Sequence, residues 1–175
     1  GYAGRIAGGE FKIGDDVTVL PSGFQSKVKS IETFNGSIDE AYAPMSITLT
    51  LEDDIDVSRG DMIVRPKNQP EVIQDVEMML CWMSETPLIN KGKYTLKHTS
   101  KEARCLIKDI QYKVDINTLH RLEDDKEIKC NDIAKVTLRV TQPLFADQYK
   151  DNRSTGSVII IDEATNNTVG AGMIV

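Results

Sequence analysis

The chain has 175 residues, 40% of them hydrophobic and 27% charged, with a formal net charge of −6. That is enough chain for one large or two small domains with a real core. The acidic balance argues against a protein whose main business is gripping phosphate backbones, and no apolar stretch approaches the roughly 18 residues needed to span a bilayer. No charged and then apolar leader opens the chain, so no signal peptide is expected. Three well-separated cysteines, Cys81, Cys105 and Cys130, make poor material for a disulfide framework, which suits a reducing, cytoplasmic setting.

In chain order, Gly1-Tyr2-Ala3-Gly4 begins without methionine or polar tail and reads as a piece of a longer protein. Gly4–Leu20 is glycine-rich, but Glu10 and Phe11 follow Gly9 where a P-loop needs lysine and a hydroxyl, and G-x-G-x-x-G is not met. The pattern instead predicts a hairpin, two short strands with turn chemistry at Gly8-Gly9 and Gly14-Asp15-Asp16. Gln25–Phe34 reads as a strand whose out-of-phase Val28 and Ile31 indicate a bulge. Asn35-Gly36 makes a turn, and Ile38–Pro44 an irregular connection. Met45–Leu51 alternates without a fault, apolar on one face and Ser46, Thr48 and Thr50 on the other, as a half-buried strand does. After an acidic stretch come a short strand over Met62–Arg65 and the polar, proline-flanked segment Lys67–Gln69. A domain boundary belongs there, giving domains at 1–68 and 69–175.

The second half repeats the style. Strands are predicted over Val72–Met83, Tyr94–Lys97, Ala103–Val114 (with a phase slip near Lys108-Asp109), Lys135–Thr141, Ser157–Asp162 and Thr168–Ile174. Asp115–Leu122 could hold one helical turn, and Glu123–Lys129 has loop character. No amphipathic helix is found. Short strands punctuated by turns define an all-β fold, read as two consecutive barrels.

Candidate chemistry is sparse. In Asp53–Asp61, Asp54, Asp56 and Ser58 take the first, third and fifth places of a calcium loop. Arg59 and Arg65, however, stand where glycine and glutamate are required. Arg59-Gly60-Asp61 spells an adhesion tripeptide by coincidence. Asn90-Lys91-Gly92-Lys93 is similar to the guanine-reading N-K-x-D but ends on the wrong charge. No C-x-x-C pair supports zinc, and neither His98 nor His120 lies near a nucleophile elbow, so each suits a structural hydrogen bond better than proton transfer. Asn35, Asn152 and Asn166 fall in glycosylation-like triplets, which matter only outside the cell. No catalytic, cofactor-binding or metal residue is assigned.

Gly4–Gly9 through Gly14–Val17, then Asp56–Ile63, resemble the second domain of translation-type GTPases such as elongation factor Tu, and Thr168–Ile174 is similar to the last strand of their third domain. Within that superfamily, Leu20–Phe24, Leu51–Asp56, Met79–Trp82, Lys93–Ser100, Tyr112–Leu119 and Gly156–Thr165 resemble the large, GTP-binding subunit of bacterial sulfate adenylyltransferase. The likeness runs from end to end. It implies two barrels of the domain 2 and domain 3 type, the first lacking its opening strand. It also implies a place in a nucleotidyltransferase of sulfate assimilation, in which ATP and sulfate give adenylyl sulfate and pyrophosphate. On that resemblance GTP and Mg belong to an absent N-terminal domain, ATP to the small catalytic subunit, and no cofactor to this fragment. The expected partners are that GTPase domain and the small subunit, with neither nucleic acid nor membrane. Asp53, Asp54, Asp56, Arg59 and Asp61 are the candidate contact residues, and an unpaired strand edge beside Gly4–Leu20 predicts a dimer or strand exchange. The rival is a tRNA-binding barrel pair of a translation factor, against which the acidic charge counts.

Overall fold

The computed structural model describes residues 1–175 and contains fifteen strands and no helix. It divides into two compact units, Gly1–Pro70 and Glu71–Val175.

The first unit holds β1 (Tyr2–Arg5), β2 (Glu10–Lys12), β3 (Asp16–Leu20), β4 (Gln25–Thr33), β5 (Gly36–Ile38), β6 (Glu40–Tyr42), β7 (Ser46–Leu51) and β8 (Met62–Val64). Its main sheet runs β1-β7-β4-β3-β8, with β5 against β4, while β2 and β6 form a separate pair. The alternation in β7 is realised as expected: Ile47, Leu49 and Leu51 are buried with Val17, Val19, Val28, Ile31 and Phe11 in one cluster. Tyr2 on β1 and Ile63 on β8 pack on the same cluster, so both outer strands flank one core, yet they are not hydrogen-bonded to each other. The bulge in β4 falls between Val28 and Ser30, where its register with β7 shifts.

Two expectations fail here. Gly4–Leu20 is not a hairpin: it contains three strands, and none pairs with another. β1 joins β7, β2 joins β6, and β3 lies between β4 and β8. The turn chemistry is real, since the Asp15 carboxylate accepts the Lys12 N–H at 3.0 Å and Gly14 has φ +87. It redirects the chain between sheets, however, instead of folding it back on itself. Nor is Ile38–Pro44 irregular, because Glu40–Tyr42 finds Glu10–Lys12 across a gap that no local pattern reveals.

The second unit holds β9 (Glu71–Trp82), β10 (Lys93–His98), β11 (Lys101–Val114), β12 (Arg121–Leu122), β13 (Ile133–Ala146), β14 (Ser157–Ile161) and β15 (Thr168–Ile174). Six of them close a barrel in the cycle β10-β14-β15-β9-β13-β11 and back to β10, with β12 attached to β11. Closure removes every free edge from that cycle. The interior is filled from alternate positions of these strands, among them Val76, Met78, Leu80, Trp82, Ile107, Val136, Leu138 and Ile160. Trp82 and Tyr94 meet edge to face with centroids 5.7 Å apart, a favoured aromatic geometry. The phase slip near Lys108-Asp109 is a register shift between Ile107 and Asp109. Asp115–Leu122 holds the single turn allowed for it: the Leu119 N–H donates to the Asp115 carbonyl four residues back at 2.7 Å, no helix continues from it, and the Asp115 carboxylate accepts the N–H groups of Asn117 and Thr118.

Candidate interaction surfaces

The acidic stretch of the first unit is half anchored and half presented. Ser26 Oγ donates to Asp53 Oδ2 at 2.8 Å, while the Asp53 N–H donates to the same hydroxyl at 3.2 Å. Ile55 and Val57 pack on the core, and Tyr2 OH donates to the Ile55 carbonyl at 2.5 Å. The stretch is therefore extended, with apolar residues turned inward and Asp54 and Asp56 exposed between them. A turn follows. Asp61 Oδ2 accepts the Ser58 N–H at 2.9 Å, its own N–H donates to the Ser58 carbonyl, and Gly60 takes φ +96 at the tip, beside exposed Arg59. Of the five expected contact residues, Asp53 is thus tied to Ser26 on β4 and Asp61 to its own turn, while Asp54, Asp56 and Arg59 face solvent. They do not converge on one point: no three His, Cys, Asp or Glu side chains in the chain are grouped as metal ligands. Asp53 lines a shallow open concavity with Glu52, Asp16, Gln25, Ser26 and Lys27, whose Lys27–Asp16 pair closes at 2.9 Å.

In the second unit the buried titratable groups are locked. His98 on β10 is enclosed and its Nε2 lies 2.6 Å from the Thr155 carbonyl, so that nitrogen carries the proton and donates. Burial, the largest cause, pulls the imidazole below its ordinary value. Burial likewise pushes the Cys105 thiol up to about 12, which leaves it without thiolate at neutral pH. A second concavity holds Glu71, Asp75, Glu77 and Asp147. Asp75 is held below the usual carboxylate range, chiefly by its hydrogen bond from Lys108, with Arg139 adding attraction. Glu77 pairs with Lys135 at 3.1 Å.

At the other end of this barrel, where β9 and β11 finish, the loops and β12 carry large exposed apolar side chains: Met83, Ile89, Ile116 and Leu119 in the loops and Leu122 on β12. The residue pattern alone does not single them out.

Residues 75–175 match the GTP-eEF1A C-terminal domain-like family. The chain belongs to that family. Over 174 residues it is 47% identical to the bifunctional enzyme CysN/CysC of Rhodopirellula baltica, an alignment covering 99% of this chain and 27% of that protein. It is 46% identical over 183 residues to sulfate adenylyltransferase subunit 1 of Bacteroides thetaiotaomicron, covering all of this chain and 38% of the relative. The chain thus spans roughly a quarter to two fifths of the length of these relatives. Among solved structures, sup35 complexed with GDP superposes with a TM-score of 0.88 at 18% identity, over 99% of this chain and 43% of that one. The elongation factor SelB of Methanococcus maripaludis superposes at 0.78 and 20% identity, over 98% and 38%. These establish the two-barrel, elongation-factor-like fold, and the relatives in sequence place the chain with the barrel portion of the sulfate adenylyltransferase large subunit.

Proposed function

We propose that this chain is the non-catalytic barrel module of the GTPase subunit of sulfate adenylyltransferase, coupling a nucleotide domain to a separate catalytic subunit. The observation that carries it is the 46% identity over the whole chain to sulfate adenylyltransferase subunit 1 of Bacteroides thetaiotaomicron. The parent complex joins ATP and sulfate into adenylyl sulfate and pyrophosphate in the cytoplasm. The GTPase domain, with GTP and Mg, lies outside this chain, and ATP sits on the small subunit. That these barrels contribute no reacting group is supported by their chemistry. His98 is enclosed and kept neutral, the Cys105 thiol is inert, and both barrel interiors are filled by apolar side chains. What each offers instead is a packed surface for contact with a switching domain. The Asp54–Arg59 segment is the surface that senses the nucleotide domain or the small subunit, because it presents charge from a backbone anchored through Ile55 and Val57.

In the full-length complex, Arg59→Glu weakens the stimulation of adenylyl sulfate synthesis by GTP while leaving basal synthesis in place. Undiminished stimulation would overturn the role of this segment. The tRNA-binding alternative draws on the family match over residues 75–175 and on fold likeness to the elongation factor SelB, and an electrophoretic assay with tRNA at fixed salt separates the two. β1 and β8 both end the main sheet with unpaired backbone, so this chain by itself self-associates through an edge. A strictly monomeric species in sedimentation at high concentration contradicts that.

A further inference from the structure

We propose that the end of the closed barrel carrying Ile116, Leu119 and Leu122 is a docking surface for a folded protein partner, one that offers an apolar cleft with a basic rim. Its identification with the catalytic subunit rests on the function proposed above; the surface itself rests on four features of this unit.

The first is exposure of large apolar side chains. Ile116 is 61% and Leu119 77% exposed, with Met83 and Ile89 open at the same end. Single exposed apolar residues need no explanation, but several brought to one end of a domain do.

The second is pre-formation. The Asp115 N–H donates to the His120 carbonyl at 2.9 Å and the Leu119 N–H to the Asp115 carbonyl at 2.7 Å, closing the loop on itself. Leu119 is held at φ +61, in the left-handed region that a leucine avoids. Local hydrogen bonds over-determine that conformation. A loop already ordered loses little freedom on binding.

The third is that the cations of the stem are engaged locally, Lys113 by carboxylates and the others by neutral groups. Lys113 Nζ lies 2.6 Å from Asp125 and 3.3 Å from Asp132. Lys126 donates to the Ile110 and Gln111 carbonyls beside the irregular register of β11. The Arg121 guanidinium stacks 4.7 Å from the Tyr112 ring centroid.

The fourth is the charge left over. Glu123 and Asp124 are exposed next to Leu122, and neither has an ion-pair partner. Apolar anchors bordered by free carboxylates select their partner. Around Ile116, Leu119 and Leu122 the charge outside ion pairs is mostly carboxylate, with exposed Lys91 and Lys93 set by Ile89 in the neighbouring loop, and this balance disfavours anionic lipid and nucleic acid, which need a continuous run of cations beside the anchor. A second copy of this end would set carboxylates against carboxylates. A protein cleft with apolar walls and lysine or arginine at its mouth satisfies both parts of the surface.

The test uses the full-length GTPase subunit and its purified catalytic subunit, with binding followed at two salt concentrations. Ile116→Thr/Leu119→Asn removes the anchors while keeping a β-branched residue at the first site and a residue tolerant of left-handed backbone at the second. The double variant should bind the catalytic subunit at least about tenfold more weakly, as loss of central apolar anchors does. Its GTP hydrolysis and its Trp82 fluorescence stay as in the unmodified subunit. Glu123→Lys/Asp124→Lys should slow association about tenfold at low salt and much less at high salt, the signature of rim charge. A complex unaffected by either pair overturns the docking surface and leaves the proposed function standing. No complex with the unmodified subunit overturns both. Self-association of the unmodified subunit that the double variant abolishes would assign the surface to a second copy and refute the partner named here.

Discussion

Gly156→Ala should be among the most damaging single-methyl additions to this chain. A β-carbon at 156 would lie 2.5 Å from Tyr149 N and 2.7 Å from Asn152 O, and closer still to Tyr149 Cα. All three are backbone atoms, so no side chain can swing aside. Restoring ordinary carbon contacts of about 3.5 Å requires the loop to shift by about 1 Å. That loop is tied at both sides: Tyr149 N–H to the Ile174 carbonyl at 2.9 Å, Ile174 N–H to the Gly156 carbonyl at 2.8 Å, and Gly156 N–H to the Asn152 carbonyl at 2.8 Å. Losing two of these costs about 2 kcal/mol and the residual overpacking about 2 more. The stiffer unfolded chain returns about 0.7 kcal/mol, so the net loss is about 3 kcal/mol. Urea unfolding read by the fluorescence of Trp82, the sole tryptophan and fully enclosed in the second unit, reports on this barrel. With a slope of about 2 kcal/mol/M, the midpoint falls by about 1.5 M. A shift below about 0.5 M would show that the Tyr149–Gly156 loop yields freely, and would refute the claim that backbone contact makes glycine obligatory there.

The contrasting case is Gly172→Ala, whose methyl would meet Met78 Sδ and, at 3.1 Å, Val158 Cγ2. A thioether adapts, so the loss is about 1–2 kcal/mol. Combined with Met78→Ala it should cost less than the two single losses summed, by more than about 0.5 kcal/mol; strict additivity in urea melts would count against the contact. For His98 the sign follows from burial. Its folded pKa lies below the unfolded value, so the unfolded chain takes the proton first. Its contribution is intact above about pH 6.5 and is lost as pH falls through that value toward the folded pKa, at no more than about 1.4 kcal/mol per pH unit. His98→Gln should give a shallower loss of stability between pH 7 and pH 5. Parallel curves for the two proteins would remove His98 from the account.

Local pattern in this chain determined the strands whose two faces meet different surroundings. Met45–Leu51 and Lys135–Thr141 alternate because one face is core and the other is not, and Asn166-Asn167 turns β14 back on β15. Breaks in the same pattern located the irregularities at Val28–Ser30 and Ile107–Asp109. Segment-by-segment likeness went further and settled the family. Partnership was beyond reach, because strand pairing is a long-range choice. Nothing within Gly4–Leu20 tells that Gly4 opposes Ile47, that Phe11 opposes Ala41, or that Thr18 opposes Val64. The same holds for surfaces. The charges of Asp53–Asp61 are plain in the sequence. That Ile55 and Val57 pin the stretch to the core while Asp54, Asp56 and Arg59 stay outside depends on a core built from strands far along the chain. Ile116 and Leu119 read as ordinary apolar residues until the closed barrel, already filled by other side chains, leaves them outside. Burial is decided by what else competes for the interior, and only the tertiary structure holds that count.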